Sequence, residues 1–121
     1  MSDDVIWPKE LRVSSDKRNL TLVYEKQEPV TFTAEFLRVH SPSAEVQGHS
    51  REQKQTVSGK QEVGIMKIDP VGNYAVRVSF DDMHNTGLFS WAYFGEMAEK
   101  KEELWATYLA ELEEKGLTRA P

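Results

Sequence analysis

The residues of this chain best suited to chemistry at neutral pH are its three histidines, His40, His49 and His84. None is followed by an acid at the His-x-Asp or His-x-Glu spacing with which a non-haem iron oxygenase begins its ligand set, so an oxygenase centre is not expected. Asp81 and Asp82 are adjacent carboxylates that could be read as an acid/base pair. Neighbours at a strand end point to opposite faces, so turn capping is the simpler role. Arg38, with His40 and Arg77, could make an anion-binding spot, although arginines in a chain with 20 acidic residues more often pair with carboxylates. Gly59-Lys60 lacks the preceding glycine and the strand-loop-helix context of a phosphate loop, and Ser41-Pro42-Ser43 has no nucleophile-elbow pattern. No set of residues here is expected to make an enzyme.

Composition narrows the classes further. A length of 121 residues fits one domain with one core. Hydrophobic residues are 39% and charged residues 29%, which favours a folded protein over a disordered one despite a mean hydropathy of -0.58. A net charge of -5 argues against a nucleic-acid backbone binder, which needs a cationic field to release counterions. The absence of cysteine removes disulfides, thiol catalysis, iron-sulfur ligation and thiolate zinc sites together. No apolar run is long enough for a bilayer span, and Met1-Ser-Asp-Asp is acidic where a signal peptide is basic, so a cytoplasmic protein with no membrane partner is expected.

The elements that must position these side chains follow from periodicity. Leu11 to Ser14 reads as a short strand, Asp16 to Asn19 as a turn, and Leu20, Leu22 and Tyr24 alternate as in a half-buried strand. Val30 and Phe32 continue the hairpin. Thr33 is placed to cap a short helix over Ala34 to His40, with Phe36, Leu37 and His40 on one face, stopped by Ser41-Pro42-Ser43. Residues 47 to 60 hold one apolar residue in fourteen and read as the most mobile loop. Val63, Ile65 and Ile68 open a second sheet segment expected to break at Asp69-Pro70 and Gly72-Asn73.

Tyr74, Val76, Val78 and Phe80 alternate most cleanly and predict a central strand. Asp81 to Asn85 form a turn, Leu88 and Phe89 re-enter the core, and Ser90 caps a helical stretch to Lys115, broken near 95 to 99 and stopped by Gly116. Met97, Leu104, Trp105, Tyr108, Leu109 and Leu112 make its apolar stripe, while Leu117 to Pro121 reads as a frayed tail. Strands, a buried short helix, more strands and a terminal helix predict an α+β two-layer domain, with a mainly antiparallel sheet carrying both helical segments. Its core spans about 8–97 and its last helix about 99–115.

Two blocks carry a resemblance: Ala34-Glu-Phe-Leu-Arg-Val-His-Ser-Pro-Ser-Ala-Glu-Val-Gln-Gly-His49, and Val71-Gly-Asn-Tyr-Ala-Val-Arg-Val-Ser-Phe-Asp-Asp-Met-His-Asn-Thr-Gly-Leu-Phe-Ser-Trp91. They resemble the gamma-butyrobetaine hydroxylase-like N-terminal domain family, in its stand-alone bacterial branch. In that family the domain precedes the oxygenase domain of the hydroxylase and is also fused to Mrp-type P-loop ATPases that carry iron-sulfur clusters. The resemblance implies a structural zinc held in the hydroxylase by three cysteines and a histidine. Those positions fall here on Ser41, Ser43, Val46 and His84. Serine hydroxyls and a valine are not zinc donors at neutral pH, so that site is expected to be lost.

If the two blocks meet as the resemblance implies, His40, Glu45, His49 and His84 could form a replacement metal site. The competing expectation is that His84 hydrogen-bonds within its turn or to Ser41 or Ser43, and that His49 is solvated. The candidate binding residues are therefore Arg38, Ser41, Ser43, Glu45, His49 and His84. The function expected is a non-catalytic adapter without a cofactor, contacting a protein through Ser41 to His49 and the 47 to 60 loop. By analogy with the family fusions, that partner is an Mrp-type P-loop ATPase or another iron-sulfur carrier. The alternative is a metal or small-ligand module built on His40, His49 and His84.

Overall fold

The computed structural model describes residues 6–42 and 56–121. Within them the order is β1 (Glu10–Val13), β2 (Asn19–Val23), β3 (Val30–Thr33), α1 (Ala34–Val39), β4 (Ile65–Val71), β5 (Ala75–Phe80), β6 (Leu88–Ser90), α2 (Trp91–Glu99) and α3 (Lys101–Glu114). The strands pair as two antiparallel three-stranded sheets, β1-β2-β3 and β4-β5-β6, and with the helices they make the expected α+β fold. Alternation sets the inward faces. Leu20 lies opposite Phe32, Val76 opposite Phe89 and Ile68 opposite Val78, and the first four of these are buried together with Val78 in one core. α1 adds Phe36 and Leu37 to that core, and α2 adds Phe94 and Met97. A smaller cluster of Val39, Tyr108 and Leu112 ties α3 to the end of α1.

Both expected caps form. Thr33 Oγ1 accepts from the Phe36 N–H at 3.0 Å, and Ser90 Oγ accepts from the Tyr93 N–H at 3.0 Å. The helical stretch breaks at Lys100, one residue beyond the expected window, while Gly95 stays inside α2. Gly116 closes α3 with φ +66, as a left-handed stop requires.

Four expectations are corrected. β4 does not break at Asp69-Pro70: Pro70 pairs with Val76, and an edge strand tolerates a residue with no N–H. The break comes at Gly72, with φ +59. Tyr74 lies in that turn and is exposed, so the inward phase of β5 begins with Val76. Leu88 and Leu109 are partly exposed rather than in the core. The 117–121 segment is docked rather than frayed: Gly59 N–H donates to Thr118 O at 2.9 Å and Gln61 N–H to Arg119 O at 3.0 Å. The described end of the polar loop, 56–60, is held by the same bonds; the rest of it lies outside the described residues.

A six-residue helix depends heavily on its cap. Thr33→Ala is expected to cost about 1 kcal/mol in urea unfolding, with Thr33→Ser close to wild type; equal losses for both would show that the hydroxyl bond is not what matters.

Candidate functional site

The end of α1 and the turn after β5 meet at a polar corner. α1 closes through the His40 N–H to Phe36 O, leaving Ser41 fully buried. After β5 the chain reverses with Phe80 N–H to His84 O at 2.9 Å and Met83 N–H to Phe80 O at 3.1 Å, Met83 taking φ 73. The turn aims His84 inward, where it is 5% exposed and its Nε2 shares a 3.0 Å hydrogen bond with Ser41 Oγ. Gly87 makes that approach feasible, since a Cβ there would lie 2.3 Å from Ser41 Oγ. The His40 ring turns to other neighbours. Its Nδ1 donates to Phe36 O at 2.9 Å, its face lies 4.3 Å from the Phe36 ring, and Tyr108 meets it edge-on. Tyr93 donates its hydroxyl to His40 O, and burial, with the Glu96 carboxylate, pushes that phenol up to about 12.

Asp82 anchors the corner. Its Oδ2 accepts from Arg38 Nε at 2.8 Å and pairs with Lys60 Nζ at 2.6 Å, while its Oδ1 accepts from the His84 N–H at 3.2 Å. Burial pushes the carboxyl up, but the Lys60 and Arg38 hydrogen bonds and the Arg38 charge outweigh it and hold the group below its ordinary value. Arg38 Nη1 is buried and makes no hydrogen bond among the described residues. Asp82 thus caps a turn, as its adjacency to Asp81 suggested. Arg38 does not join Arg77, which lies on the outer face of β5 between Asp69 and Leu88 in register.

Of the sequence-predicted residues, the structure brings Arg38, Ser41 and His84 together around Asp82. Ser43, Glu45, Val46 and His49 lie outside the described residues, so the set His40, Glu45, His49 and His84 is not assembled by anything seen here. Among the described residues no group of three or more His, Asp or Glu is placed to hold a metal.

A second region carries chemistry that the sequence reading missed. Glu35, in the first turn of α1, is 5% exposed and takes a two-pronged ion pair from Arg119, with Nε to Oε2 at 2.9 Å and Nη2 to Oε1 at 2.7 Å. The same guanidinium lies 5.2 Å above the Trp105 ring. These groups border an open groove of about 890 Å³ whose lining includes Phe36, Trp105, Ala106 and Leu109. Beside it, Tyr108 donates its hydroxyl to Val57 O at 2.6 Å, and burial, with Glu35 adding and Arg119 opposing, pushes that phenol up to about 12. Nothing local announces the pair. A glutamate just past an N-cap reads as solvated, and its partner is 84 residues away.

The family model for gamma-butyrobetaine hydroxylase-like, N-terminal matches residues 11–95. The chain belongs to this family. Two proteins with NMR solution structures are similar to this hydroxylase-like domain. One is 44% identical, with a TM-score of 0.83 over 98% of this chain and 93% of its own; the other is 39% identical, with a TM-score of 0.83 over 100% and 90%. A protein of unknown function from Acidithiobacillus ferrooxidans, in the DUF971 family, is 34% identical with a TM-score of 0.65 over 80% of this chain and 98% of its own. No curated protein matches. The zinc that the resemblance implies does not fit this chain: Ser41 falls where the resemblance implies a thiolate, and its hydroxyl is hydrogen-bonded to His84, the histidine of the implied donor set.

Two outcomes test the corner. Gly87→Ala is expected to cost about 1–3 kcal/mol, because the new methyl must push Ser41 off His84. In a Ser41→Ala background the same change should cost much less; equal costs in both backgrounds would exclude that clash. Asp82 titrates lower in the folded chain than unfolded, so its stabilisation is complete above about pH 4 and is lost as pH falls through the lower folded value. Asp82→Asn should therefore lose about 1–3 kcal/mol at pH 7. That gap should narrow as the pH falls below about 4 in urea melts; a gap constant with pH would show that the carboxylate charge is not the source.

Proposed function

We propose that this domain is a non-catalytic protein-interaction module, an adapter acting in the cytoplasm. The observation that carries the reading is the groove at the junction of α1, α2 and α3. Its lining combines the apolar and aromatic side chains of Phe36, Trp105 and Leu109 with charged ones, which is the composition of a docking face. The titratable groups of the polar corner are committed to holding α1 against the turn after β5, which suits a scaffold better than a reaction centre. No helix among the described residues is long and apolar enough to cross a membrane, in keeping with a partner met in solution. By analogy with the fusions that the family resemblance implies, the partner class we propose is an iron-sulfur carrier such as an Mrp-type P-loop ATPase. The chain has no cysteine, so its part would be to dock that carrier rather than to hold a cluster.

Calorimetric titration against a purified Mrp-type ATPase tests this. Binding is expected for the wild-type chain, with a loss of at least about tenfold for Ala106→Arg or Leu109→Arg. Both positions are exposed, so the fold should be kept. No binding by the wild type would remove the partner class, and binding indifferent to both changes would remove the groove.

A further inference from the structure

The groove holds an occupant of its own, and its chemistry defines what another chain would have to present. Glu35 is a carboxylate whose side chain is only 6% exposed, so it is strongly penalised without a cation. The cation it takes must be planar and forked, because both carboxylate oxygens are engaged at once while the same group lies over Trp105. A guanidinium meets both demands; an ammonium, a compact point charge, cannot. Beside the carboxylate, the Gly59 and Gln61 N–H groups donate to successive carbonyls of the bound segment, a way of reading extended backbone whatever its side chains. Gly59, at φ +71, comes close enough that a Cβ would lie 3.4 Å from Ala120 O.

We infer that Glu35, Trp105 and the 59–61 backbone form a guanidinium-binding site that accepts an arginine from an extended segment of a protein partner, Arg119 being its resident occupant. This rests on the interaction reading and supplies the partner's chemistry. Two features make the occupant exchangeable. Leu117, Thr118, Ala120 and Pro121 are all exposed, so the segment is held by Arg119 and three backbone bonds, the third from Leu117 N–H to Leu112 O, and a visiting guanidinium that takes over the Glu35 pair offsets the main cost of releasing it. It also leaves the groove of about 890 Å³ open along Phe36, Ala106 and Leu109, beyond the Trp105 ring over which Arg119 lies, where a longer incoming segment gains further contacts. The charge balance favours a basic visitor. With Arg119 displaced, the lining keeps four carboxylates, Glu35, Glu99, Glu102 and Glu103, against Lys100 and Lys101. Lys101 is already engaged by the Thr31 carbonyl.

The test uses the full chain carrying Arg119→Ala, which empties the site, and the acetylated pentapeptide Leu-Thr-Arg-Ala-Pro as probe. The peptide is expected to raise the melting temperature of the variant and to shift the Trp105 indole N–H resonance saturably. Peptides with Lys or Ala in place of Arg should bind at least about tenfold more weakly, and the Glu35→Gln, Arg119→Ala double variant should not respond. If Arg119→Ala does not fold, Arg119→Lys, which keeps a cation but loses the fork, replaces it with the same expectations. No response, or an equal response to the Ala peptide, overturns the site. A concentration-dependent dimer of the wild type that is lost in the variant would assign the site to a second copy of this chain and overturn the partner inference. Should the peptide fail while Ala106→Arg still blocks the ATPase, the guanidinium site falls and the interaction reading stands; peptide binding without ATPase binding gives the converse.

Discussion

The two three-stranded sheets bury their apolar faces in one shared core, and the rest of the fold depends on that junction. Aromatic rings make the junction. Phe94 of α2 sits 5.6 Å from Phe89 of β6 and 5.9 Å from Phe32 of β3, and Phe32 lies 5.5 Å from Phe36 of α1. Phe32, Phe89 and Phe94 are all fully buried, so each link is close-packed rather than wet. At the rim a backbone bond completes the join, Ile65 N–H to Lys17 O. The meeting of Ser41 with His84 is a consequence of this packing: the rings set α1 against the β4-β5-β6 sheet, and the polar corner forms where they leave it.

What could be read from the sequence is what local chemistry determines. Leu20 and Leu22, and Val76, Val78 and Phe80, alternate because one face of each strand is buried, and a two-residue period survives any change of partner. Thr33, Ser90 and Gly116 mark helix ends because their work is done within a single turn. Pro70 misled because its meaning depends on which side of β4 is paired, and Leu88 because only one residue of a short edge strand can face the core. The polar corner was partly legible, since the family blocks juxtapose Ser41 and His84. The groove was not, because Glu35 and Arg119 each look like surface charges until a separation of 84 residues closes between them.

The Asp82 and Glu35 ion pairs, the first half-buried and the second with its carboxylate buried, differ in how they are compensated, and the difference separates their roles. Asp82 has two cations, Arg38 and Lys60, and a backbone N–H, all from segments that are otherwise packed or bonded. Removing any one of them leaves the carboxylate still partnered, so the corner behaves as a fixed joint. Glu35 has Arg119 as its partner, and Arg119 is carried on a segment whose other residues are exposed. Both carboxylates belong to the same structural unit, since Glu35 opens the six-residue α1 and Arg38 in its last turn holds Asp82. A helix that short is stable only when tied at each end. It follows that whatever occupies the Glu35 site must supply a cation in the same place, or α1 loses one of its two ties. The requirement at that end is therefore for a guanidinium more than for the chain that carries it, which is the condition the proposed exchange of a resident for a visiting arginine needs.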